Sequence, residues 1–275
     1  MLGRESIEYK TPEQVRLMRA AGLVVADALD AVRSALRPGV TTKELDRIAE
    51  DVIRSAGAIP SFLGYSRPPY PATTCISVND QVVHGIPGAL VLQAGDVVSV
   101  DCGAILAGWH GDSAFTAIVP GADPDPVAQA LVDATEQAMW AGLAAMATGS
   151  RIIDIGAAVE DSVGDRYGLV EDYGGHGIGT AMHQAPSVLN YRTRDRGPKL
   201  RAGMCLAVEP MLTVGSPEVK VLRDEWTVAT VDGSLAAHWE HSCAKLETGV
   251  WVLTARDGGV EALGALGVPV TPLAD

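Results

Sequence analysis

A pattern of paired amphipathic helices occurs twice in this chain, about 110 residues apart, and it limits the fold more than any other feature. In the first copy Thr11-Pro12-Glu13-Gln14 opens a helix. Thr11 can cap it, Pro12 suits its first position and Gln14 completes a capping box. Apolar Met18, Ala21, Val25, Ala28, Val32 and Leu36 follow at helical spacing until Pro38-Gly39 ends the run. A second helix starts at Thr41, has Glu44 in the capping-box position, and turns Leu45, Ile48, Ala49, Val52 and Ile53 inward. In the second copy a helical stretch from about Pro126 to Met146 leads to Thr148-Gly149, and Ile155, Ala158, Val159 and Val163 then share one face. A shift of 110 residues aligns Gly39 with Gly149, Leu45 with Ile155, and Glu50-Asp51 with Glu160-Asp161. Weak identity with a consistent pattern predicts a duplicated helix–helix–sheet half.

Strand-like segments follow each helical pair. Val97-Val98-Ser99-Val100 is strongly β-forming, and Gly108-Trp109-His110-Gly111 reads as a turn before Phe115-Thr116-Ala117-Ile118-Val119. In the second half Cys205-Leu206-Ala207-Val208 and the stretch from Ala237 to Leu246 read as strands. An α+β fold with antiparallel sheets is predicted. Its parts are an amino-terminal arm over 1–10, one domain over 11–254 with halves near 11–120 and 121–254, and a Gly-, Pro- and Ala-rich tail over 255–275.

With 275 residues, 47% of them hydrophobic and 20% charged, the chain can bury one large core. The net charge of −13 argues against a general nucleic-acid binder, because phosphate backbones are held by clustered Lys and Arg. Cys75, Cys102, Cys205 and Cys243 are far apart and form no Cys-x-x-Cys pair, so reduced thiols are expected. The opening Met1-Leu2-Gly3-Arg4-Glu5-Ser6 has no apolar stretch of signal-peptide length behind it, and no uncharged run reaches the length of a membrane span. A cytoplasmic protein with no DNA or membrane partner is expected.

Several acidic and histidine side chains stand where a core strand should carry something else. Asp101 directly follows Val97–Val100, Asp112 follows the turn, and Glu209 ends Leu206-Ala207-Val208 before Pro210, which favours extended backbone at Glu209. Glu240 lies between Trp239 and His241, and His176 sits in Gly174-Gly175-His176-Gly177-Ile178-Gly179, where small neighbours permit close backbone approach. Singly, each has an ordinary explanation: an Asp after a strand is most often a turn former, Glu240 a solvated strand residue, His176 a satisfied core histidine. Together they read differently, since four carboxylates converging on one buried site repel strongly unless cations neutralise them. Two divalent ions balance four carboxylates. No His-Glu-x-x-His helix, Gly-x-Ser-x-Gly elbow or Gly-Lys-Ser/Thr phosphate loop competes, and the Gly175–Gly179 run lacks dinucleotide spacing.

The order Asp101, Asp112, His176, Glu209, Glu240 resembles the five-ligand set of the methionine aminopeptidases. The surrounding words match as well: Cys75-Ile76-Ser77-Val78-Asn79 with Val83-His84-Gly85-Ile86-Pro87, the glycine run around His176, Val208-Glu209-Pro210-Met211, and Trp239-Glu240-His241. The resemblance runs from about residue 10 to 254 and is to the short bacterial type I form. It implies the duplicated pita-bread fold shared with prolidase, aminopeptidase P and creatinase. It also implies removal of the initiator methionine from nascent polypeptides, with a small second residue preferred, by a water activated by two divalent ions.

Carried over by position, the resemblance has Asp101 chelating one metal, Asp112 and Glu240 bridging both, and His176 and Glu209 completing the other. Glu209 is the implied proton shuttle, His84 a substrate-contacting histidine, and His183 its partner near the scissile carbonyl. The methionine pocket is implied to include Phe62, Tyr65, Tyr70, Cys75, Met182 and Trp226, although ordinary core packing also accounts for Phe62 and Tyr65. Oxygen-rich ligation with one His suits Mn²⁺, Fe²⁺ or Co²⁺ at least as well as Zn²⁺. A monomer in transient contact with the ribosome is expected.

Two departures stand out. The segment Ser66–Pro69 carries two extra residues, and Met182-His183-Gln184 replaces the family's usual Phe-His-Glu, which leaves open how His183 is oriented. Met182 can still form an apolar wall. The rival readings are an X-Pro peptidase of the same fold and a binding module that has lost its metals.

Overall fold

The computed structural model describes residues 6–123 and 125–273; residues 1–5 of the expected arm and 274–275 of the expected tail lie outside the described residues. Helix α1 (Pro12–Ala35) begins with its capping box: Thr11 Oγ1 accepts from the Gln14 amide at 3.3 Å, and Gln14 Oε1 from the Thr11 amide at 2.9 Å. Thr41 and Glu44 repeat that arrangement at the start of α2 (Thr42–Ser55). Next come β1 (Ile59–Pro60), β2 (Thr74–Val78), β3 (Gln81–Val83), β4 (Val97–Leu106) and β5 (Trp109–Ile118).

The second helical pair is α3 (Pro126–Thr148) and α4 (Ile152–Val163). It is followed by β6 (Gly168–Leu169), β7 (Gly175–Gly177), β8 (Gln184–Val188), β9 (Cys205–Val208) and β10 (Met211–Thr213). Strands β11 (Val219–Val221), β12 (Val228–Thr230), β13 (Ala236–His238), β14 (Glu240–Lys245) and β15 (Val250–Val252) complete the strand set before α5 (Val260–Ala265).

Among the described residues the largest sheet has nine strands, ordered β1-β4-β5-β14-β9-β7-β8, with β2 also on β4 and β15 on β14. All its pairings are antiparallel. Strand β14 joins β5 from the first half to β9 from the second, so the sheet is continuous across the middle of the chain. Helix α1 packs on β4, β5 and α2, and α3 on α4, β13 and β14. The core between helices and strands holds Val25, Val32, Leu131, Met139, Val98, Val100 and Val208, together with Leu45 and Ile155, the pair matched by the 110-residue shift.

Three local expectations need correcting. The turn at Gly108–Gly111 is only Ala107-Gly108, both with positive φ (51° and 82°), as a two-residue hairpin loop requires, so His110, Gly111 and Asp112 already belong to β5. Gly111 is small for a different reason: a Cβ there would lie 2.7 Å from the Gly22 amide nitrogen, so it lets α1 close onto the sheet. Gly111→Ala is therefore expected to destabilise the fold by about 1–3 kcal/mol through overpacking. The check is a lower urea midpoint at unchanged m-value; a wild-type midpoint would contradict this packing.

The single strand expected from Ala237 to Leu246 is broken at Trp239, where the chain leaves β13, paired with β10 in a small sheet, and enters β14 in the large one. Residues 255–275, expected as a tail, contain α5 with fully buried Leu263, and Val270 forms a bridge with Val250. The alternation that buries Leu263 is too short to stand out in a Gly-rich sequence.

Candidate metal centre

Strand register alone brings the five acidic and histidine residues to one face. Asp101 pairs with Ala114, and Ala114 pairs in turn with Glu240, while Asp112 lies two residues before Ala114 on the same strand. His241 pairs with Val208, so Glu209, one residue beyond β9, comes alongside Glu240. Gly177 pairs with Leu206, which sets His176 beside Ala207, two residues before Glu209. Side chains alternate along a strand, so Asp101, Asp112, Glu240, Glu209 and His176 share a face. Ala114 and Ala207 between them leave the space in front of the sheet open.

The atoms converge accordingly. Ligand atoms of Asp112, His176 and Glu240 lie within 4.8 Å of one another, and so do those of Glu209, His238 and Glu240. Glu209 Oε1 is 3.4 Å from His176 Nε2, and its Oε2 is 3.7 Å from His238 Nε2. The Nδ1 of His176 is 3.0 Å from its neighbour's carbonyl, Gly177 O, as a donor would be, which leaves the Nε2 lone pair facing the carboxylates.

Electrostatics say what the cluster lacks. Burial pushes Asp101 up to about 7, and burial with the Asp101 charge pushes Glu209 up to about 8. Asp112 and Glu240 are raised well above the carboxylate range, first by burial and then by the neighbouring carboxylates. Asp101 Oδ1, Asp112 Oδ1 and Glu240 Oε1 are buried without a hydrogen-bond partner. Such groups ionise together only if positive charge is placed among them, and four carboxylates with imidazole suit divalent cations. The residues present therefore fit a divalent-metal site.

The cluster forms the floor of a cavity of about 190 Å³. Phe62, Tyr65, Tyr70, Cys75, His84, Met182, His183 and Trp226 all line it. Phe62, Tyr70, Cys75 and Met182 are buried together, with Trp226 packed edge-on to Tyr70 at 5.1 Å between ring centres. Tyr70 is anchored because its hydroxyl lies within hydrogen-bond reach of the Thr74 and Gly85 carbonyls. His84 has φ 59°, a left-handed conformation rare outside glycine and often found at functional sites. Beside it, a Cβ at Gly85 would be 2.3 Å from the Ile76 carbonyl oxygen, so the chain can only pass this close as glycine. Burial, then the nearby His183, lower His84 to about 4, so it is neutral.

At the solvent-facing rim, His183 Nδ1 is 2.6 Å from the Tyr65 hydroxyl. The Gln184 departure has a separate structural account. Gln184 Nε2 donates to Glu8 Oε2 at 2.8 Å, and its Oε1 is 3.3 Å from the buried Lys10 Nζ. Gln184 thus ties residues 6–10 to the loop that carries His183, while Tyr65 holds the His183 ring.

Sequence reasoning missed Tyr173, Gly174 and Met211, which also line the cavity, and His238 beside the carboxylates. Each had a signal: Tyr173 and Gly174 precede or open the glycine run, Met211 follows Glu209-Pro210, and His238 is two residues from Glu240, the strand period.

Comparison with known proteins agrees with this geometry. Residues 16–248 match the sequence profile of Metallopeptidase family M24. The chain is 50% identical to methionine aminopeptidase 1 of Mycobacterium tuberculosis over 261 residues, covering 92% of this chain and 96% of that one. The crystal structure of a methionine aminopeptidase from Thermotoga maritima superposes with a TM-score of 0.87 at 38% identity, covering 91% of this chain and all of that one (100%). A prolidase from Pyrococcus furiosus shares the fold at a TM-score of 0.71 and 19% identity, covering 90% of this chain and 65% of that one. The architecture is thus the pita-bread fold, and the chain belongs to metallopeptidase family M24.

Proposed function

We propose that the chain is a two-metal methionine aminopeptidase that removes the initiator methionine from nascent polypeptides. The observation that carries the reading is the junction of a carboxylate-rich cluster that fits divalent metal with an apolar pocket. That pocket is walled by Phe62, Tyr70, Cys75, Met182 and Trp226. Divalent metal use is supported by the family and by the donor set. In the finer reading two ions, of Mn, Fe, Co or Zn, would be held by Asp101, Asp112, His176, Glu209 and Glu240.

When bound, the ions would supply an acidified water, a polarised scissile carbonyl and a point of attachment for the free α-amine. The chain's own groups do the rest. Glu209 takes the proton of the attacking water and delivers it to the leaving nitrogen as the C–N bond breaks. The Tyr65 hydroxyl lies 2.6 Å from His183 Nδ1, and as the donor there it would leave the His183 proton on Nε2 to stabilise the developing oxyanion. Neutral His84 contacts the peptide beyond the scissile bond. New chains with a free amino terminus are the substrate, which makes the cytoplasm the place of action.

A panel of short peptides varied at the first two positions tests the reading. Met-Ala, Met-Gly and Met-Ser peptides are expected to be cut, and Met-Lys and Met-Leu spared, because the second residue sits in the narrow space beside His84 and His183. A Lys or Glu in first place would be desolvated without a partner, so it should be rejected strongly. Leu there should be disfavoured by only about 1–3 kcal/mol, as apolar shape differences allow. Efficient cleavage of Lys-Ala peptides or of acetylated Met-Ala would overturn the assignment, and a preference for X-Pro bonds would favour the rival peptidase.

A further inference from the structure

We propose that His238 is a positioning residue for Glu209, donating from Nε2 to Glu209 Oε2 and leaving Oε1 to the metal side. The inference rests on the function proposed above. His238 is 2% exposed, and its Nε2 is buried with no hydrogen-bond partner, which is costly for a polar atom. A Glu240 carboxylate oxygen comes within 4.8 Å of this imidazole, and Glu209 Oε2 lies 3.7 Å from that nitrogen. A shift of under about 1 Å closes this gap to hydrogen-bond length.

The two oxygens of Glu209 face different imidazoles. Oε1 looks toward His176, whose Nε2 lone pair is presented to the cluster, and Oε2 looks toward His238. Glu209 Oε1 and His176 Nε2, 3.4 Å apart, are then the pair that would hold a metal. Oε2 then needs a donor that fixes the carboxylate plane without adding charge. His238 Nε2 faces Oε2 and is buried with no other hydrogen-bond partner, so it is the atom placed to supply that donor.

His238 is itself held firmly. Its backbone N–H donates to Thr116 Oγ1 at 3.0 Å and its carbonyl accepts from the same hydroxyl at 2.7 Å. Thr116 Oγ1 is in turn 2.8 Å from Ser99 Oγ. Strand β13 pairs His238 with Met211, which sits two residues beyond Glu209, so the donor and the carboxylate belong to one rigid unit. A carboxylate fixed in this way is presented to the metal in one orientation, with its proton-carrying capacity directed at the reacting water rather than spread over several rotamers.

The test compares His238→Gln, which keeps an N–H donor, with His238→Leu, which does not. Metal content per chain and the nitrogen count from X-ray absorption of the Co²⁺-loaded protein are read beside kcat and KM on a Met-Ala peptide. His238→Leu should keep its metal and its nitrogen count, keep KM within about threefold, and lose roughly 10–100-fold in kcat. His238→Gln should recover to within about fivefold of wild type. If His238→Leu does not fold, His238→Ala removes the same donor without added bulk and is read in its place. Loss of an ion or of one nitrogen ligand would make His238 a metal ligand and overturn the proposal. An unchanged kcat, or a His238→Gln as impaired as His238→Leu, would overturn it too. Failure of the underlying function is separately visible, as a wild-type protein that cuts none of the Met peptides.

Discussion

Stripping the divalent ions from this chain is expected to lower Met-Ala hydrolysis by at least about 10³-fold, and Mn²⁺, Co²⁺ or Fe²⁺ should restore it. The magnitude follows from what is lost at once: several kcal/mol of charge stabilisation at the carbonyl and the water that is acidic near neutral pH. The same cluster predicts an opposite effect on stability. Asp101, Asp112, Glu209 and Glu240 are packed together with raised pKa values, so the fold bears a repulsion that bound cations relieve. Replacing Glu240 with Gln keeps the volume and removes the cost of holding that buried carboxyl, whether charged or protonated, among its acidic neighbours. Glu240→Gln should therefore melt higher than wild type when both are stripped, gain less on adding metal, and be nearly inactive when loaded. Melting curves with and without Mn²⁺, read beside activity, check all three. Full activity in rigorously metal-free protein would sink the mechanism, and a stripped Glu240→Gln that melts below wild type would show that the carboxylate is structural.

The site was more legible in the sequence than the strands that build it. Asp101 and Asp112 stood out because charge interrupts apolar β-forming runs, yet both lie inside longer strands than the runs suggest. Strand propensity marks where a strand starts; the pairing partner decides where it stops. Thus β4 and β5 continue to the Ala107-Gly108 loop because each completes the other's ladder. The break at Trp239 was hidden for the same reason, since both sides of it are β-forming and only the change of partner from β10 to β5 and β9 separates them. The link from Gln184 to Glu8 and Lys10 joins positions more than 170 residues apart, and no local pattern announces it.

His183→Ala is expected to lower kcat by roughly 10²-fold or more, the usual cost of a lost oxyanion donor, while metal content stays unchanged. His183 stands against His176, with ring centres 4.3 Å apart, but it belongs to neither group of converging ligand atoms, so its loss should cost charge stabilisation rather than a ligand. Tyr65→Phe should act in the same direction and more weakly. Without the hydroxyl at Nδ1, the His183 proton can sit on either nitrogen and the ring is held by its packing on His176 at 4.3 Å and on the Tyr65 ring at 5.2 Å, which Phe retains. A roughly three- to tenfold loss in kcat with little change in KM fits the loss of one modest hydrogen bond. The double variant separates this account from a general disturbance of the rim. If Tyr65 acts through His183, then Tyr65→Phe added to His183→Ala should change kcat hardly at all, because the group it orients is already gone. Independent losses that multiply in the double variant would show that Tyr65 touches the substrate by itself, and an ion lost from His183→Ala would make His183 a ligand.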